Sequence, residues 1–546
     1  MRVSVIDTLR RVARWLDGVG SSRRFVAGVL LAALGVFGIE SLAWPLMLGR
    51  DGTTYLMYYA DMWHAHASFP ELMLFRTPLA PLLYGPLLHL GGAALAEAGA
   101  AVYFAVAVAA LTLAAAAFGG LAAVVTAAAL LLYPGYGGLF HQVSSDPAFA
   151  LVFALWTFAC VRVVQRPTLR RFAGVAVLTF LMVMARPSAQ TFALFILVPL
   201  VMRAPWQARL RRTASFALPL ILLLVGWAAL NDVRYGDFTV ARSGGAQAPF
   251  YRVFVFDHLV GGDNGPASRR LAALVKTRLL PLPQYRDAGI RTTADFFARG
   301  EDHAWGDLVV LSDRVWGWNS DYSTLRRAGL EAIEHHRTRY AHRVAAGVWY
   351  ELHSPYKVSA PTPAAAAQTP PTTAVSPPSA AVDRTDPGGI LWWLATTPDG
   401  HITAHNGKLI WSTPAGQRHY QRLVAFVDRL QSDLPNRNGS HAVARVLNGI
   451  ASVYPWLAAW LLLGLAAPFV RRAPWMLAAL PAFFGLLLVV TTMAAMPPGL
   501  AYVVPVAPGF VLFGVVGLCG RRAWVPAHSG REVARASQSS AVRSDP

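Results

Sequence analysis

The chain has 546 residues, of which 55% are hydrophobic and only 14% charged, and its mean hydropathy is +0.41. Soluble domains carry about 25% charged residues, so a water-soluble fold, a disordered chain and a small disulfide scaffold are excluded, and the composition is that of an all-α polytopic membrane protein. The net charge is +19, nearly all of it arginine, since Lys276, Lys357 and Lys408 are the only lysines. The arginines stand in short clusters between apolar runs, not in a patch interleaved with aromatics, so the partner they imply is a lipid bilayer and not nucleic acid.

The N-terminal basic residues ahead of an apolar run imitate a signal peptide. The run 25–48 exceeds a typical h-region of about 7–15 residues and no small-residue cleavage site follows, so it reads as a retained first span. A spanning helix needs about 20 apolar residues, and an arginine at its centre costs about 2.5–3.5 kcal/mol; arginine clusters therefore mark loops. The run 98–140 breaks at Gly119-Gly120 and reads as a hairpin of two spans. A fourth span covers 147–164. The run 172–202, broken at Arg186-Pro187 and flanked by arginines on both sides, is a second hairpin, and 216–230 is the seventh span. Three more lie at 453–470, 475–493 and 502–518, giving about ten.

This topology gathers Arg10, Arg11, Arg14, Arg23 and Arg24, the clusters within 162–171 and 203–212, Arg471-Arg472 and Arg521-Arg522 on one face. The positive-inside rule makes that face cytoplasmic. Both termini are then cytoplasmic and the chain is a multi-pass plasma-membrane protein. Four regions follow: a seven-span N-terminal region, 1–230, whose outer loops carry the candidate site; a large extracytoplasmic segment of mixed structure, 231–452; three C-terminal helices, 453–520; and a disordered cytoplasmic tail, 521–546. Within the outer segment, 325–352 has helical periodicity. The Pro/Ala/Thr-rich stretch 361–387 cannot build a core and is a linker. The stretch 389–430 reads as a small globular piece or a cap on the membrane. Cys160 and Cys519 offer no metal spacing or disulfide framework.

The first outer loop is the most informative stretch. After Arg50-Asp51-Gly52, Tyr55, Tyr58, Tyr59, Met62 and Trp63 recur at helical spacing, a face suited to the bilayer interface. A short apolar helix over 79–90 follows Arg76-Thr77-Pro78. Asp51 is either a helix cap, worth about 1 kcal/mol, or a catalytic base. Asp146, between Ser145 and Pro147, carries the same two readings, because proline favours the first helical position. Arg186-Pro187 is a helix end with a snorkelling arginine or a site element. The topology puts Asp51, Arg76, Asp146 and Arg186 at one outer face. The histidines 335, 336 and 342 lack metal-site spacing and read as a solvated face.

These residues resemble those of the membrane glycosyltransferases of the GT-C superfamily, whose kin include the protein O-mannosyltransferases and the aminoarabinose transferases. The resemblance rests on Asp51 with Tyr55, on Arg76-Thr77-Pro78 with Pro81, on Asp146, on Met184-Ala185-Arg186-Pro187, on the stretch 231–238, and on Ala501-Tyr502-Val503-Val504-Pro505. It covers the seven-span region and hardly touches the outer segment. Gly52 stands where many members have a second acid, and Ala501 where a late arginine is expected.

The resemblance implies a GT-C-like fold and transfer of a sugar from a polyprenyl-phosphate donor to a hydroxyl on a glycan, lipid or protein acceptor. The chain itself carries no Walker A and no GxGxxG for a nucleotide sugar. Asp51 would be the base, Asp146 would orient the acceptor or face a metal, and Arg76 and Arg186 would hold the phosphate, with His141 and Tyr55 as further substrate contacts. A divalent cation, magnesium or manganese, is the one cofactor left open. Two other readings remain beside it: a lipid or sugar transporter or flippase, and a catalytically silent membrane scaffold.

Overall fold

The computed structural model describes residues 5–63, 70–242, 248–300, 302–317, 320, 322–358, 402–405, 408–411, 414–434, 439–470, 475–499 and 502–520. The expected linker 361–387, the tail 521–546 and Ala501 lie outside the described residues. The rest is helical almost throughout, with two small two-stranded sheets.

From the N-terminus, α1 (Val5–Gly20) precedes α2 (Arg23–Ala43), which starts where the Ser22 hydroxyl accepts the Phe25 N–H at 3.1 Å. Then come β1 (Met47–Leu48), α3 (Gly52–Asp61), α4 (Pro70–Phe75), α5 (Leu79–Ala116), α6 (Gly120–Leu131), α7 (Pro134–Leu139), β2 (Gln142–Val143), α8 (Ser145–Gln165) and α9 (Leu169–Ala185). A 3-10 stretch, Pro187–Leu197, leads through α10 (Val198–Val201) to α11 (Trp206–Tyr235). The following segment holds α12 (Pro266–Leu274), α13 (Pro283–Asp287), α14 (Thr293–Arg299), α15 (Asp302–Trp316), α16 (Ser323–His335) and α17 (Arg337–His353). After the hairpin β3 (Ile402–His405) and β4 (Lys408–Trp411) come α18 (Pro414–Gln431), α19 (His441–Val453), α20 (Leu457–Val470), α21 (Trp475–Ala495) and α22 (Ala507–Cys519).

Six stretches among the described residues are long and apolar enough to cross a membrane: Arg24–Ala43, Leu79–Ala116, Ser145–Gln165, Trp206–Tyr235, His441–Ala466 and Ala478–Ala495. Leu31, Ile39 and Leu42 on α2, and Leu218, Ile221, Leu222 and Val225 on α11, are exposed. Rows of bare leucine and isoleucine on whole helices call for lipid around them. Six of the ten expected spans contain such a helix; elsewhere the apolar helices are shorter, as at Gly120–Leu131, Pro187–Val201 and Val504–Cys519. The 12 residues of α6 rise about 18 Å, and the 11-residue 3-10 stretch rises about 22 Å.

Inside the bundle, Trp156 of α8 meets Phe192 and Phe195 of the 3-10 stretch and Phe484 of α21, and its indole N–H donates to Thr179 of α9 at 3.1 Å. The segment after α11 has a separate apolar core, with Phe250, Phe254, Phe296, Phe297 and Leu325 among its members.

Two sequence expectations are corrected. The tyrosine-rich face of α3 does not lie at a bilayer interface: Tyr55, Tyr58 and Tyr59 are at most 6% exposed, because α5 and α18 both pack on this helix. The short helix expected over 79–90 is present as the first part of α5, set off from the rest by the non-helical backbone of Gly91 and Gly92. Gly92 has φ 60° and ψ −157°, a conformation that glycine adopts without steric cost. The single helix expected over 325–352 is two, parted at His336, whose φ and ψ of −119° and 36° break the helical run.

Candidate active site

The site is organised by a short backbone stitch. Met47 and Leu48 pair in parallel with Gln142 and Val143, the Met47 N–H donates to the His141 carbonyl at 2.9 Å, and the Gly49 N–H to that of Val143 at 3.3 Å. The loop leaving α2 is thereby laid against the loop entering α8. At the next turn a Cβ on residue 52 would stand 2.7 Å from the Val143 carbonyl oxygen, closer than real Cβ atoms approach. The place where the resemblance expects a second acid therefore has no room for a side chain.

Asp51 sits at the N-cap position of α3, but it does not cap. Its backbone is left-handed, with φ 59° and ψ 16°, and its side chain makes no cap hydrogen bond. The carboxylate instead pairs with the Arg76 guanidinium at 3.1 Å; its side chain is 41% exposed and that of Arg76 14%. Arg76 also lies over the Tyr55 ring, 5.7 Å from its centroid. Helix capping is thus not what holds the Asp51 carboxylate here.

Asp146 is not a cap either. The N-cap of α8 is Ser144, whose hydroxyl accepts the Asp146 N–H at 3.3 Å. That leaves the Asp146 carboxylate to form an ion pair with Arg186. Arg186 stands in extended backbone between α9 and the 3-10 stretch, and its Nε donates to the Ser145 hydroxyl at 3.3 Å. Its guanidinium rests between two rings, 5.7 Å from the centroid of Phe149 and 5.8 Å from that of Tyr502. Burial lowers its pKa from the usual arginine value, and Tyr55, Tyr502 and Asp51 act against that shift. An arginine remains cationic at neutral pH.

Two members of the site were not singled out from the sequence. Arg50 donates to the Tyr502 hydroxyl and lies 5.2 Å from the Tyr502 ring centroid. Tyr502 thus ties the late stretch 502–505 to Arg50 and Arg186. Its only sequence signal was membership of the Tyr-x-x-Pro stretch, and Arg50 had only its place beside Asp51. Three arginines now face two aspartates, so the cluster carries one positive charge in excess. Arg50 and Asp51 reach solvent while Asp146 is buried, so the cluster is cation-rich and open on one side.

His141 is placed elsewhere. Its ring is fully buried, stacked on Phe37 at 4.0 Å between centroids, with Glu40 3.6 Å from Nε2. Burial lowers its pKa to about 3, so it is neutral and its contact with Glu40 is not an ion pair at physiological pH. His141 stands at the turn just ahead of β2, and its ring lies inside the bundle.

A divalent cation does not fit the site, because Asp51 and Asp146 are each engaged by an arginine. Among the described residues no group of three or more His, Cys, Asp or Glu is disposed to hold a metal ion. Comparison of the chain with protein-family models, with curated proteins and with solved structures finds no match.

Proposed function

We propose that this protein is a GT-C-type membrane glycosyltransferase that moves a sugar from a polyprenyl-phosphate donor to a hydroxyl of a glycan, lipid or protein acceptor, on the extracytoplasmic face of the plasma membrane. The observation that carries this reading is the half-exposed Asp51 carboxylate, held by Arg76 and not by its helix, in one cluster with Arg50, Tyr55 and Arg186.

In this reading Asp51 takes the proton of the acceptor hydroxyl. The acceptor oxygen forms its bond to the anomeric carbon as the bond from that carbon to the phosphate oxygen breaks, with inversion. The electron pair leaves on the phosphate, whose growing charge is met by Arg76, Arg50 and Arg186. Asp146, buried against Arg186, keeps that guanidinium in place.

The test is to incubate the purified protein with a panel of radiolabelled polyprenyl-phosphate sugars and to measure release of polyprenyl phosphate. Release with at least one sugar is expected, and none with any sugar and acceptor would overturn the reading. For the sidedness, a reporter fused after Pro387 should be active outside the cell and one fused after Arg531 inside.

One observation favours the transporter reading. Glu40 and His141 are both buried, Glu40 within the first candidate span, and ionisable groups inside a membrane commonly mark a transport path. Loss of substrate uptake by proteoliposomes carrying Glu40→Gln, with no transferase activity in the unmodified protein, would establish that reading instead.

A further inference from the structure

We infer that Glu351, on α17, is a positioning residue for this site: its carboxyl group holds the backbone at Gly499 and Val503, on either side of Tyr502, and so fixes where Tyr502, and with it Arg50 and Arg186, stands. Glu351 belongs to the segment between the two sets of apolar helices, a part of the chain that the sequence left outside the site.

The geometry runs from Glu351 through Gly499 and Tyr502 to Arg50 and Arg186. The Glu351 side chain is fully buried. Its Oε1 accepts the Gly499 N–H at 2.5 Å, and the Val503 N–H makes a second backbone contribution. The Gly499 carbonyl in turn accepts the Tyr502 N–H at 2.9 Å. The same glycine lies beneath the tyrosine ring, since a Cβ there would stand 3.3 Å from Tyr502 Cε2. Tyr502 then receives the Arg50 hydrogen bond and carries the Arg186 guanidinium over its face. Each link is a hydrogen bond or a van der Waals contact, so displacement of the Glu351 carboxyl is transmitted to the arginines.

Glu351 is an expensive residue to keep in such a place. Among the described residues it has no ion-pair partner, and its Oε2 is buried without a hydrogen-bond partner. An unpaired buried carboxyl costs stability, and the group it serves is the turn that bears Tyr502. Burial pushes it up to about 7, against the backbone N–H groups of Gly499 and Val503. The titratable groups around it are Tyr133, which feels its charge, and Tyr356 beside Tyr133; burial raises both hydroxyls, so neither titrates near neutrality.

The sign follows from linkage. The buried carboxyl binds its proton more tightly than an exposed glutamate does. Its contribution to the closed turn is therefore full below the ordinary glutamate range and is lost as pH rises through about 7.

The catalytic consequence rests on the transferase reading, but the hold on the turn does not, and the experiment separates them. Hydrogen–deuterium exchange of the peptide 496–506 is followed in the full-length protein in detergent, from about pH 5 to pH 8, with intrinsic rates divided out. In Glu351→Leu the turn should exchange about tenfold faster throughout, as expected for the loss of an amide's acceptor. Glu351→Gln keeps an acceptor oxygen and cannot ionise, so it should retain protection and show no pH dependence. The unmodified protein should lose protection as pH rises through neutrality.

Unchanged exchange in Glu351→Leu, or the same pH profile in the glutamine variant as in the unmodified protein, would overturn the inference. If the leucine variant does not fold, the comparison of glutamine with glutamate decides alone. An active transferase whose turn ignores Glu351 sinks only the positioning role. A turn that obeys Glu351 in a protein that transfers no sugar sinks only the transferase reading.

Discussion

The two aspartate–arginine pairs of the site are made of the same groups, and each arginine lies over aromatic rings, yet their surroundings assign them different work. Asp146 and Arg186 are enclosed, the aspartate side chain being 4% exposed and the arginine 14%. Asp51 is 41% exposed beside an Arg76 that is as covered as Arg186. A buried pair loses its hydration and depends on its partner, whereas a half-exposed carboxylate can give up one contact and accept a proton from an incoming hydroxyl. The enclosed pair therefore fixes the Arg186 guanidinium in place, and the open pair is where a proton can be exchanged. Both aspartates looked alike as helix-start residues, and only the environment separates them.

Breaking the enclosed pair should have the largest effect. Arg186→Ala leaves the Asp146 carboxylate buried and unpaired, and should cost about 3–5 kcal/mol of stability, read as a lowered Tm or folded yield in detergent. Adding Asp146→Asn should recover much of it. A mild loss in the single variant would mean that the two pairs do not differ as described.

The open pair should respond in activity and not in stability. Asp51→Asn is expected to lower transfer by about 10²-fold, as when a positioned general base is lost, with thermal stability unchanged. Asparagine tolerates the left-handed backbone of this position, so the substitution tests the carboxylate alone. Turnover near that of the unmodified protein would reduce Asp51 to an anchor for Arg76.

Arg76→Ala should cost about 1.5–3 kcal/mol of donor kcat/KM, or about 10–150-fold, the worth of a charge-assisted hydrogen bond. Lysine should restore only part, because it keeps the charge and loses the planar fork. Full rescue by lysine would leave Arg76 as a general positive charge. The smallest effect is expected at the stitch between the two loops, where Gly52→Ala crowds the Val143 carbonyl and should cost about 1–3 kcal/mol. A stable Gly52→Asp variant with higher activity would show that the site tolerates the acid for which there is no room here.

Much of this arrangement was legible in the sequence because membranes punish charge. Arginines are costly inside an apolar run, so Arg76, Arg186 and the arginine clusters marked loops, and the sidedness expected of those loops put Asp51, Arg76, Asp146 and Arg186 on one face, where the structure pairs Asp51 with Arg76 and Asp146 with Arg186. The tyrosines of α3 were misread because helical spacing reports a helix and not what covers it; α18, some 360 residues further on, supplies that cover. His141 lies five residues before Asp146, but its ring stacks on Phe37 inside the bundle. Arg50 and Tyr502 are 452 residues apart, a contact that no local pattern announces. The two-helix break at His336 and the role of Glu351 likewise depend on packing between distant segments.

The hydrogen bond between Arg50 and Tyr502 also bears on how the protein is made. Asp51, Arg76, Asp146 and Arg186 are all synthesised early, but Tyr502 leaves the ribosome 316 residues after Arg186. At about 5–20 residues per second the interval is roughly 15–60 s. Throughout that time the nascent chain holds an incomplete cluster, with two arginines waiting for the ring that will seat them. The cluster is thus completed only when the residues just ahead of α22 have been made. A nascent chain stalled before Tyr502 would carry both aspartates and all three arginines and still lack the assembled site.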